Sequence, residues 1–521
     1  MHRLVIALTT LLTLVGGTIV GGYLLFFSAS VDRAASVVPA DTPIYVNVYL
    51  RPSAAQQMNL GGLLGRLPGF GDQATLDTKV DEAVQQLVAG SGVDYRRDIK
   101  PWLGDQLSVG VTPSGTNPDD LKTLLVADVK DRALADQALS RLLSQEGGAP
   151  SKETYREVAM VIGATETHAF LDGGRLLVIG SDADRVRAAI DASSGATPAL
   201  GAETAFRTAM NGLPADHLAS AYLDLDRLAA AAGVTGQLSG YSSASLALVA
   251  EQDGLHLVGE APFDESNAGA SGRAGFALST EPSSLSDWMP ATTEAEAVVF
   301  GLRQLLEDAE SRIGQQPGTD QVAQAIAQLR AVIAFGLGLS VDDDLLPLLD
   351  REAAVAITGL EAGTPHGQLL LRPSDAAAAQ ASLDHIRDAL AQRGARVSSS
   401  EIGGVTVTTL DVPDTASVSY AMSDGIVIIG LSSDDVATAL TAHASGTSLG
   451  ASASYQKTFA VAGGRGGNEL FVDLPMLIDA LGQDITLPAD ARDILQHVTG
   501  IGVTVPARED RIEFHAVVTI E

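Results

Sequence analysis

Most of the chain alternates between short apolar runs and stretches whose apolar residues recur every three to four positions. The short runs alternate or are rich in β-branched residues, which predicts strands because successive side chains of a strand point to opposite faces. In the first half such runs lie at 44–50, 107–111, 124–129, 158–162, 169–171, 175–179, 218–223, 245–249 and 255–259. The longer period predicts helices at 76–88, 131–144, 184–192, 204–210 and 225–232. Asp131 and Ser181 stand where helix N-caps belong.

The same order of segments occurs twice along the chain. Val-Pro-Ala-Asp-Thr at 38–42 leads into an apolar run, and Met-Pro-Ala-Thr-Thr at 289–293 does the same. Four further pairs follow in the same order, about 250 residues apart: 99–109 with 345–355, 171–180 with 423–430, 200–202 with 449–451, and 221–225 with 470–474. We therefore predict an internal duplication after an N-terminal segment at 1–30, with repeat 1 at 37–262, a linker at 263–288 and repeat 2 at 289–521.

Turn signals indicate how the predicted strands pair. Asp-Gly pairs at 172–173 and 424–425 separate adjacent short strands, which is typical of β-hairpins. A hairpin joins antiparallel neighbours, so we expect each repeat to form a largely antiparallel sheet. With helices packed on one face of each sheet, the predicted class is α+β.

The N-terminal segment predicts a membrane anchor. Residues 4–27 carry no charge, and as a helix they measure about 36 Å, enough to cross a hydrocarbon core of about 30 Å. His2 and Arg3 precede the apolar stretch, which favours a cytoplasmic N-terminus and places the bulk of the chain outside the plasma membrane. A cleaved signal peptide is the alternative, since small residues follow at 28–30.

Gly17 and Gly21 lie four residues apart within this predicted helix. Small residues at that spacing let two membrane helices approach closely, so the pair is a candidate dimer face and a homodimer is a candidate assembly. The alternative explanation is that glycine is common in membrane helices. Apart from a second copy, the predicted contact of this segment is membrane lipid.

Composition and charge exclude several classes of function. The chain has 521 residues, of which 46% are apolar and 19% charged, so it can build a large core. Acids outnumber bases 64 to 33 and the net charge is −31, which excludes a general nucleic-acid binder, because phosphate requires a cationic face. The absence of cysteine excludes disulfides, thiolate metal sites and cysteine nucleophiles.

Several of these features together resemble a known family. The anchor, the entry at 38–42, the Pro-Trp-Leu-Gly-Asp motif at 101–105 and the Leu-Asp-Gly-Gly strand ending at Gly180 resemble a bacterial family of exported proteins, the domain-of-unknown-function 3352 family. The likeness covers most of the chain after the anchor. It implies location and architecture, and it carries over no activity. The second repeat departs from the motif with Leu348 and Asp350 in place of Trp102 and Gly104.

Two serine patterns are candidates for nucleophilic catalysis. Gly-Thr-Ser-Leu-Gly at 446–450 fits a nucleophile elbow, but a helical stretch at 433–443 precedes Ser448 where that motif requires a strand. Ser454 and Lys457 have the spacing of a serine–lysine pair, without the companion motifs of penicillin-binding proteins. We expect a connector between helices at Ser448, and no enzyme activity in either place.

Other polar patterns have similarly weak chemical signals. The acidic run at 342–344 lacks the spacing and closing glutamate of a calcium loop, and the nine histidines contain no His-Glu-x-x-His motif. We therefore expect neither a metal nor a cofactor. Asp224 and Asp473 recur after equivalent strands, which favours helix N-caps. Trp102 is a candidate partner contact, but the favoured interpretation is a core residue at the start of a strand, because the second repeat has Leu348 there.

These observations predict a non-catalytic binding or scaffolding module of the cell envelope, with an envelope protein as partner. A carrier of a lipid or other apolar ligand is the first alternative, because a sheet covered by helices can enclose an apolar cavity. A serine hydrolase is the second.

Overall fold

The structure is a computed structural model that describes residues 32–68, 81–82, 85, 93–114, 121–145, 150–232, 240–269, 272–273, 276–277, 281–313, 320–361, 364–412, 417–481 and 493–521. The predicted anchor with Gly17 and Gly21 lies outside the described residues, as does most of the predicted helix 76–88. Within the described ranges, no helix combines the length and the apolar character needed to cross a membrane. The chain divides into two compact units, Met1–Asn267 and Ala268–Glu521.

The first unit contains ten described strands. They are β1 (Ile44–Tyr49), β2 (Leu103–Pro113), β3 (Leu121–Val129), β4 (Ser151–Tyr155), β5 (Val158–Ile162), β6 (Thr167–Leu171), β7 (Leu176–Gly180), β8 (Ala219–Asp224), β9 (Ser243–Ala250) and β10 (Gly254–Pro262). All pairings are antiparallel, in the order β4-β5-β6-β7-β3-β2-β1-β8-β9-β10. The helices are α1 (Ala54–Arg66), α2 (Arg132–Gln145), α3 (Ala183–Ser193), α4 (Thr204–Gly212) and α5 (Leu225–Ala231).

The second unit also contains ten described strands. They are β11 (Ala295–Phe300), β12 (Glu352–Glu361), β13 (Thr364–Arg372), β14 (Arg396–Ile402), β15 (Val405–Asp411), β16 (Val418–Ser423), β17 (Ile426–Gly430), β18 (Asn468–Val472), β19 (Val498–Val505) and β20 (Arg511–Ile520). They pair antiparallel in the order β14-β15-β16-β17-β13-β12-β11-β18-β19-β20. The helices are α6 (Leu302–Arg312), α7 (Asp320–Ala331), α8 (Ala376–Gln392), α9 (Ser433–Ser445), α10 (Ala453–Val461) and α11 (Leu474–Leu481).

The predicted α+β class and the antiparallel sheet are confirmed. The Asp-Gly signals act as turns in both units. Asp424 and Gly425 form the two-residue link between β16 and β17, with φ angles of 48° and 76°. Positive φ at both positions is the type I′ geometry, whose twist matches that of the flanking strands. The first unit uses a four-residue link that begins with Asp172 and Gly173, at φ angles of 49° and 64°.

Helices cover both faces of the sheet in the second unit, which corrects the expectation of helices on one face. Leu370 and Ile428 pack in one core cluster with Val436 of α9. Their strand neighbours Leu371 and Val427 point to the other face and pack with residues of α8. Consecutive apolar residues in a central strand point to both faces of the sheet, so each face needs helices that shield it from water.

Two elements depart from the predicted pattern. Helix α1 contains three glycines, which weaken its helical signal, and it is held by the Ser53 N-cap and by the buried side chains of Leu60, Leu63 and Leu64. Strand β4 has mostly exposed residues and pairs on one side with β5, so apolar alternation could not reveal it. The predicted cap Ser181 is also corrected, because Asp182 accepts the Arg185 amide at the start of α3.

The end of the predicted linker 263–288 lies in the body of the second unit. Leu285 and Trp288 are buried there in the same cluster as Met289 and Leu449. The Trp288 ring stacks on His443, with 3.7 Å between ring centroids and 6° between planes. This part of the segment therefore contributes to the core of the second unit.

Candidate functional site

The candidate serine–lysine pair has separate partners on its two side chains. The Ser454 hydroxyl donates to the carbonyl oxygen of Thr499 at 3.4 Å, and Lys457 Nζ lies 2.6 Å from Glu521 Oε1. Both residues lie on α10, whose N-cap is Ser452. The arrangement anchors the helix to β19 and to Glu521 after β20.

Ser448 lies in a connection between helices. Helix α9 ends at Gly446, whose φ of 70° closes the last turn, and a short 3₁₀ helix follows at Leu449–Ala451. A nucleophile elbow requires a strand before the serine, so that a sharp turn exposes the hydroxyl. Ser448 is instead buried, between two helical segments.

The carboxylates of the acidic run point to three different partners. Asp342 lies 2.9 Å from Arg330 Nη1, Asp343 accepts from the Ser340 hydroxyl at 2.9 Å, and Asp344 pairs with His385 Nδ1 at 2.7 Å. Hard cations require several oxygen ligands converging on one point. Across the described ranges, no group of three or more His, Asp or Glu side chains is placed to hold a metal ion.

The two recurring aspartates are N-caps, as predicted. Asp224 Oδ1 accepts the Arg227 amide at 3.0 Å at the start of α5, and Asp473 Oδ1 accepts the Met476 amide at 3.1 Å at the start of α11. Each cap satisfies an amide that the first turn of a helix leaves without a partner.

Trp102 fills the core, as the favoured interpretation predicted, which corrects the alternative of an exposed partner contact. It is fully buried, and its Nε1 donates to the Asp98 carbonyl oxygen at 2.5 Å. The motif around it has a structural explanation. A Cβ atom at Gly104 would collide with the Asp128 side chain, whose Oδ2 accepts the Asp105 amide at 3.0 Å. Glycine at position 104 therefore leaves room for the Asp128 carboxylate, which holds the start of β2 by accepting the Asp105 amide.

Each unit contains a buried polar cluster that the sequence analysis missed. In the first unit the Asp32 cluster comprises Asp32, Tyr45, Asn47, Gln106 and Ser108. Asp32 Oδ1 accepts from the Tyr45 hydroxyl at 2.8 Å and from Gln106 Nε2 at 2.9 Å. Asn47 Oδ1 accepts from Gln106 at 3.0 Å and from Ser108 at 2.8 Å. Burial raises the pKa of Asp32, and the hydrogen bond from Tyr45 opposes that rise.

In the second unit the Glu469 cluster comprises Glu296, Glu352, Tyr455, Arg465 and Glu469. Glu469 Oε2 accepts from Arg465 Nη2 at 2.8 Å, from Arg465 Nε at 3.0 Å and from the Tyr455 hydroxyl at 3.1 Å. The Arg465 guanidinium also lies 4.9 Å from the centre of the Tyr455 ring. The glycine-rich loop at 463–467 therefore places the Arg465 guanidinium against the buried Glu469 carboxylate, and this ion pair anchors the loop.

The other two glutamates of this cluster have weaker partners. Glu352 accepts from the Ser283 hydroxyl and lies 3.7 Å from Arg372 Nη1, and burial raises its pKa. Glu296 is 1% exposed, and neither of its carboxyl oxygens has a hydrogen-bond partner among the described residues. Burial raises the pKa of Glu296 to about 8, and Glu469 adds to this rise against the opposing effects of Tyr455 and Arg465.

A signal for the Glu469 cluster exists in the sequence. Glu296, Val298 and Phe300 alternate along β11, and all three are buried on the core side. Glu469 and Phe471 alternate along β18 in the same way. A glutamate in phase with the core residues of a strand is a buried charge, which requires a partner or a proton. Alternation therefore identifies these glutamates, whereas motif searches do not.

The family profile described as "Protein of unknown function (DUF3352)" matches residues 4–518. No match is found among curated proteins. Among solved structures, crystal form III of TP0453 is 9% identical, with a TM-score of 0.25, covering 47% of this chain and 84% of that one. Crystal form I of TP0453 is also 9% identical, with a TM-score of 0.25, covering 46% and 81%. A likeness at that TM-score carries no argument about function.

Proposed function

Because the chain belongs to the DUF3352 family, whose function is unknown, we propose that it is a membrane-anchored, non-catalytic binding or scaffolding module of the cell envelope. The observation that carries the proposal is that the candidate catalytic and metal-binding side chains form structural contacts. Ser454 donates a hydrogen bond to Thr499, and Lys457 pairs with Glu521. The three aspartates at 342–344 contact three different side chains. These contacts favour stability over turnover.

The proposed location is the plasma membrane, with one pass and the bulk of the chain outside. It is supported by the uncharged stretch at 4–27 and by the basic residues that precede it. The net charge of −31 supports an ectodomain that stays clear of anionic headgroups and meets its protein partner in solution. Gly17 and Gly21 support a homodimer through the anchor.

We further propose that the two units are copies of one domain. Their strand orders support this, since adding ten to each strand number of the first unit reproduces the order of the second. In each unit a short 3₁₀ helix precedes the first strand, at Ala34–Ser36 and at Leu285–Asp287. Two copies give the proposed scaffold two related surfaces.

Proximity labelling in the native envelope tests the scaffold proposal. The full chain carries a labelling enzyme at its C-terminus, and an unrelated single-pass protein with the same enzyme is the matched control. We expect specific envelope proteins to be enriched over the control. Equal labelling by both proteins contradicts the proposal, and labelling of cytoplasmic proteins contradicts the orientation.

A carrier of an apolar ligand is the second candidate, favoured by one surface of the second unit. Leu329, Val332 and Phe335 follow one another at three-residue spacing, and Phe335 is 90% exposed. Exposed apolar side chains in series offer a surface to an apolar molecule. Native mass spectrometry of the full chain and of Phe335→Ser, before and after organic extraction, distinguishes the two. A removable lipid mass that Phe335→Ser reduces supports the carrier, and an equal lipid mass in both proteins belongs to the proposed anchor and supports the scaffold.

A catalytic role is tested separately. We expect the wild-type protein to turn over generic ester and β-lactam substrates no faster than the Ser448→Ala and Ser454→Ala variants. A rate that falls in either variant overturns the non-catalytic proposal. The full chain in non-ionic detergent is the sample for the mass spectrometry and for the turnover measurements.

A further inference from the structure

The Glu469 cluster buries more negative than positive charge. Glu296 on β11, Glu352 on β12 and Glu469 on β18 are each almost completely buried. The cations near them are Arg465 in the loop before β18, Arg372 at the end of β13 and Arg351, which acts on Glu352 and pairs with Glu281. Among the described residues these cations form their ion pairs with Glu469, Glu352 and Glu281, so a charge on Glu296 would have no paired cation. A buried charge without a partner is expensive, and the usual resolution is to bind a proton.

The hydrogen bonds indicate which carboxylate holds that proton. Arg465 and Tyr455 both donate to Glu469, and Ser283 donates to Glu352. These donors stabilise the charged form of each carboxylate. Glu296 has no donor at hydrogen-bond distance among the described residues, although the nearby Tyr455 hydroxyl lowers its pKa, and it is 1% exposed. Glu296 is therefore the member of the cluster that is best suited to stay neutral.

The groups around Glu296 come from every element packed on it. Glu352 faces it from β12 and Glu469 from β18, Tyr455 faces it from α10, and Arg465 faces it from the loop at 463–467. Arg372 acts through Glu352, and Glu294 lies directly before β11. The two neighbouring carboxylates disfavour a charge on Glu296, whereas Arg465 favours it.

The first unit also buries a carboxyl group, that of Asp32, but there neutral donors form hydrogen bonds to it. Tyr45 is the second residue of β1, as Glu296 is the second residue of β11, and each lies between two flanking strands. The Tyr45 hydroxyl, Gln106 and the Ala35 amide all donate to Asp32. The carboxyl group of Asp32 is therefore hydrogen-bonded by three donors, and that of Glu296 has none at hydrogen-bond distance among the described residues.

We propose that Glu296 is a proton-dependent switch in the interior of the second unit, where loss of its proton loosens the packing of β11, β12, β18 and α10 as the pH rises. The inference is independent of the proposed scaffold function. It gives the second unit a response to rising pH.

The way in which stability depends on pH follows from the difference between the folded and the unfolded pKa of Glu296. The folded protein binds the Glu296 proton more tightly than the unfolded chain, because the pKa rises from 4.5 to about 8 on burial. The resulting stabilisation is present in full below about pH 4.5, declines above it, and is lost once the pH passes about 8. Deprotonation then places a third negative charge beside Glu352 and Glu469.

Infrared difference spectroscopy of the full chain in non-ionic detergent observes this proton directly. A protonated carboxyl group has a C=O stretch that its carboxylate lacks, and at about pH 6 an ordinary glutamate is already deprotonated. We expect the wild-type protein to show this band at about pH 6 and to lose it by about pH 9. Burial also raises the pKa of Glu166 in the first unit to about 7, so this residue contributes to the band in every variant. Glu296→Gln should lose the part of the band that titrates at about pH 8, and Glu401→Gln, an exposed strand glutamate of the same unit, should keep it.

The outcomes separate clearly. A wild-type protein without the band at about pH 6 overturns the proposal, whether or not the variant folds. A band that persists unchanged in folded Glu296→Gln belongs to another carboxyl group and also overturns it.

Hydrogen–deuterium exchange on the wild-type protein gives the structural readout. After correction for the intrinsic pH dependence, we expect protection of β11 and β18 peptides to fall severalfold between about pH 6 and about pH 9, more than that of β1 and β8 peptides. Equal loss of protection in both units, or none, overturns the switch even if the proton is present.

Discussion

At the scale of single residues, buried polar groups show how the fold uses charge. Arg465 donates twice to the buried Glu469 and covers the Tyr455 ring. Removing one partner of such a pair leaves the other charge buried without compensation, which costs about 3–5 kcal/mol. Arg465 therefore stabilises the second unit mainly by preventing that cost.

Arg465→Gln should lower the free energy of unfolding of the second unit by about 3–5 kcal/mol, because Glu469 loses its charged donor. Glu469→Gln in the same background removes the uncompensated charge, so the double variant should be more stable than Arg465→Gln alone. Chemical denaturation of the four proteins of this cycle measures both effects. Simple additivity of the two substitutions contradicts the pairing.

Trp102→Ala tests the assignment of this residue to the core. The substitution leaves a large cavity and removes the hydrogen bond to Asp98, so we expect a loss of about 3–5 kcal/mol in the free energy of unfolding. Met58→Ala, at a side chain that is 76% exposed, is the control and should stay within about 0.5 kcal/mol. Unchanged stability in Trp102→Ala, with partner labelling lost, restores the partner-contact hypothesis.

At the scale of elements, caps and turns set where strands and helices begin and end. The capping box of α9 joins Ser432 and Asp435, and the link between β16 and β17 uses Asp424 and Gly425 at positive φ. Glycine adopts that conformation without the steric cost that a Cβ atom brings. In a helix the same freedom is a disadvantage, because more entropy is lost on folding.

One substitution should therefore have opposite effects in two elements. Gly425→Ala, at φ 76°, should destabilise the second unit by about 1–2 kcal/mol. Gly62→Ala, in the interior of α1 with open space around the added Cβ, should stabilise the first unit by about 0.5–1 kcal/mol. Thermal and denaturant unfolding of the two variants measure these changes. The same sign in both contradicts the backbone argument.

At the scale of the whole molecule, the excess of 64 acids over 33 bases dominates the electrostatics. Ion pairs occur at the surface, for example between Arg187 and Glu153, but exposed pairs contribute little each. Repulsion among the remaining acids opposes the folded state and is screened by salt.

We therefore expect the free energy of unfolding to rise as the ionic strength increases from about 10 mM to about 150 mM. Urea denaturation at the two salt concentrations measures the change, since urea itself carries no charge. Sodium chloride and potassium chloride should act alike, because screening depends on ionic strength. A fall in stability with salt contradicts the argument and means that attractive pairs dominate.

Local features of the chain could be predicted because their causes are local. Most strands of the first unit follow alternation and β-branching, and the caps at Asp224 and Asp473 follow from an acid placed before a helical stretch. Helix α1 was not predicted, because its glycines weaken the local helical pattern. The burial of Leu60 and Leu63 stabilises the helix by more than the glycines destabilise it. That stabilisation comes from contacts distant in sequence, which a local pattern does not contain.

By itself the sequence determined the antiparallel α+β character and the positions of most strands and turns, because periodicity and turn residues act over a few positions. Only the tertiary structure decided that Trp102 lies in the core, that helices cover both faces of the second sheet, and that Arg465 meets Glu469. It also decided that Glu296 lies between two other buried glutamates. Burial and charge pairing depend on which strands lie side by side, and that neighbourhood exists only once the chain has folded.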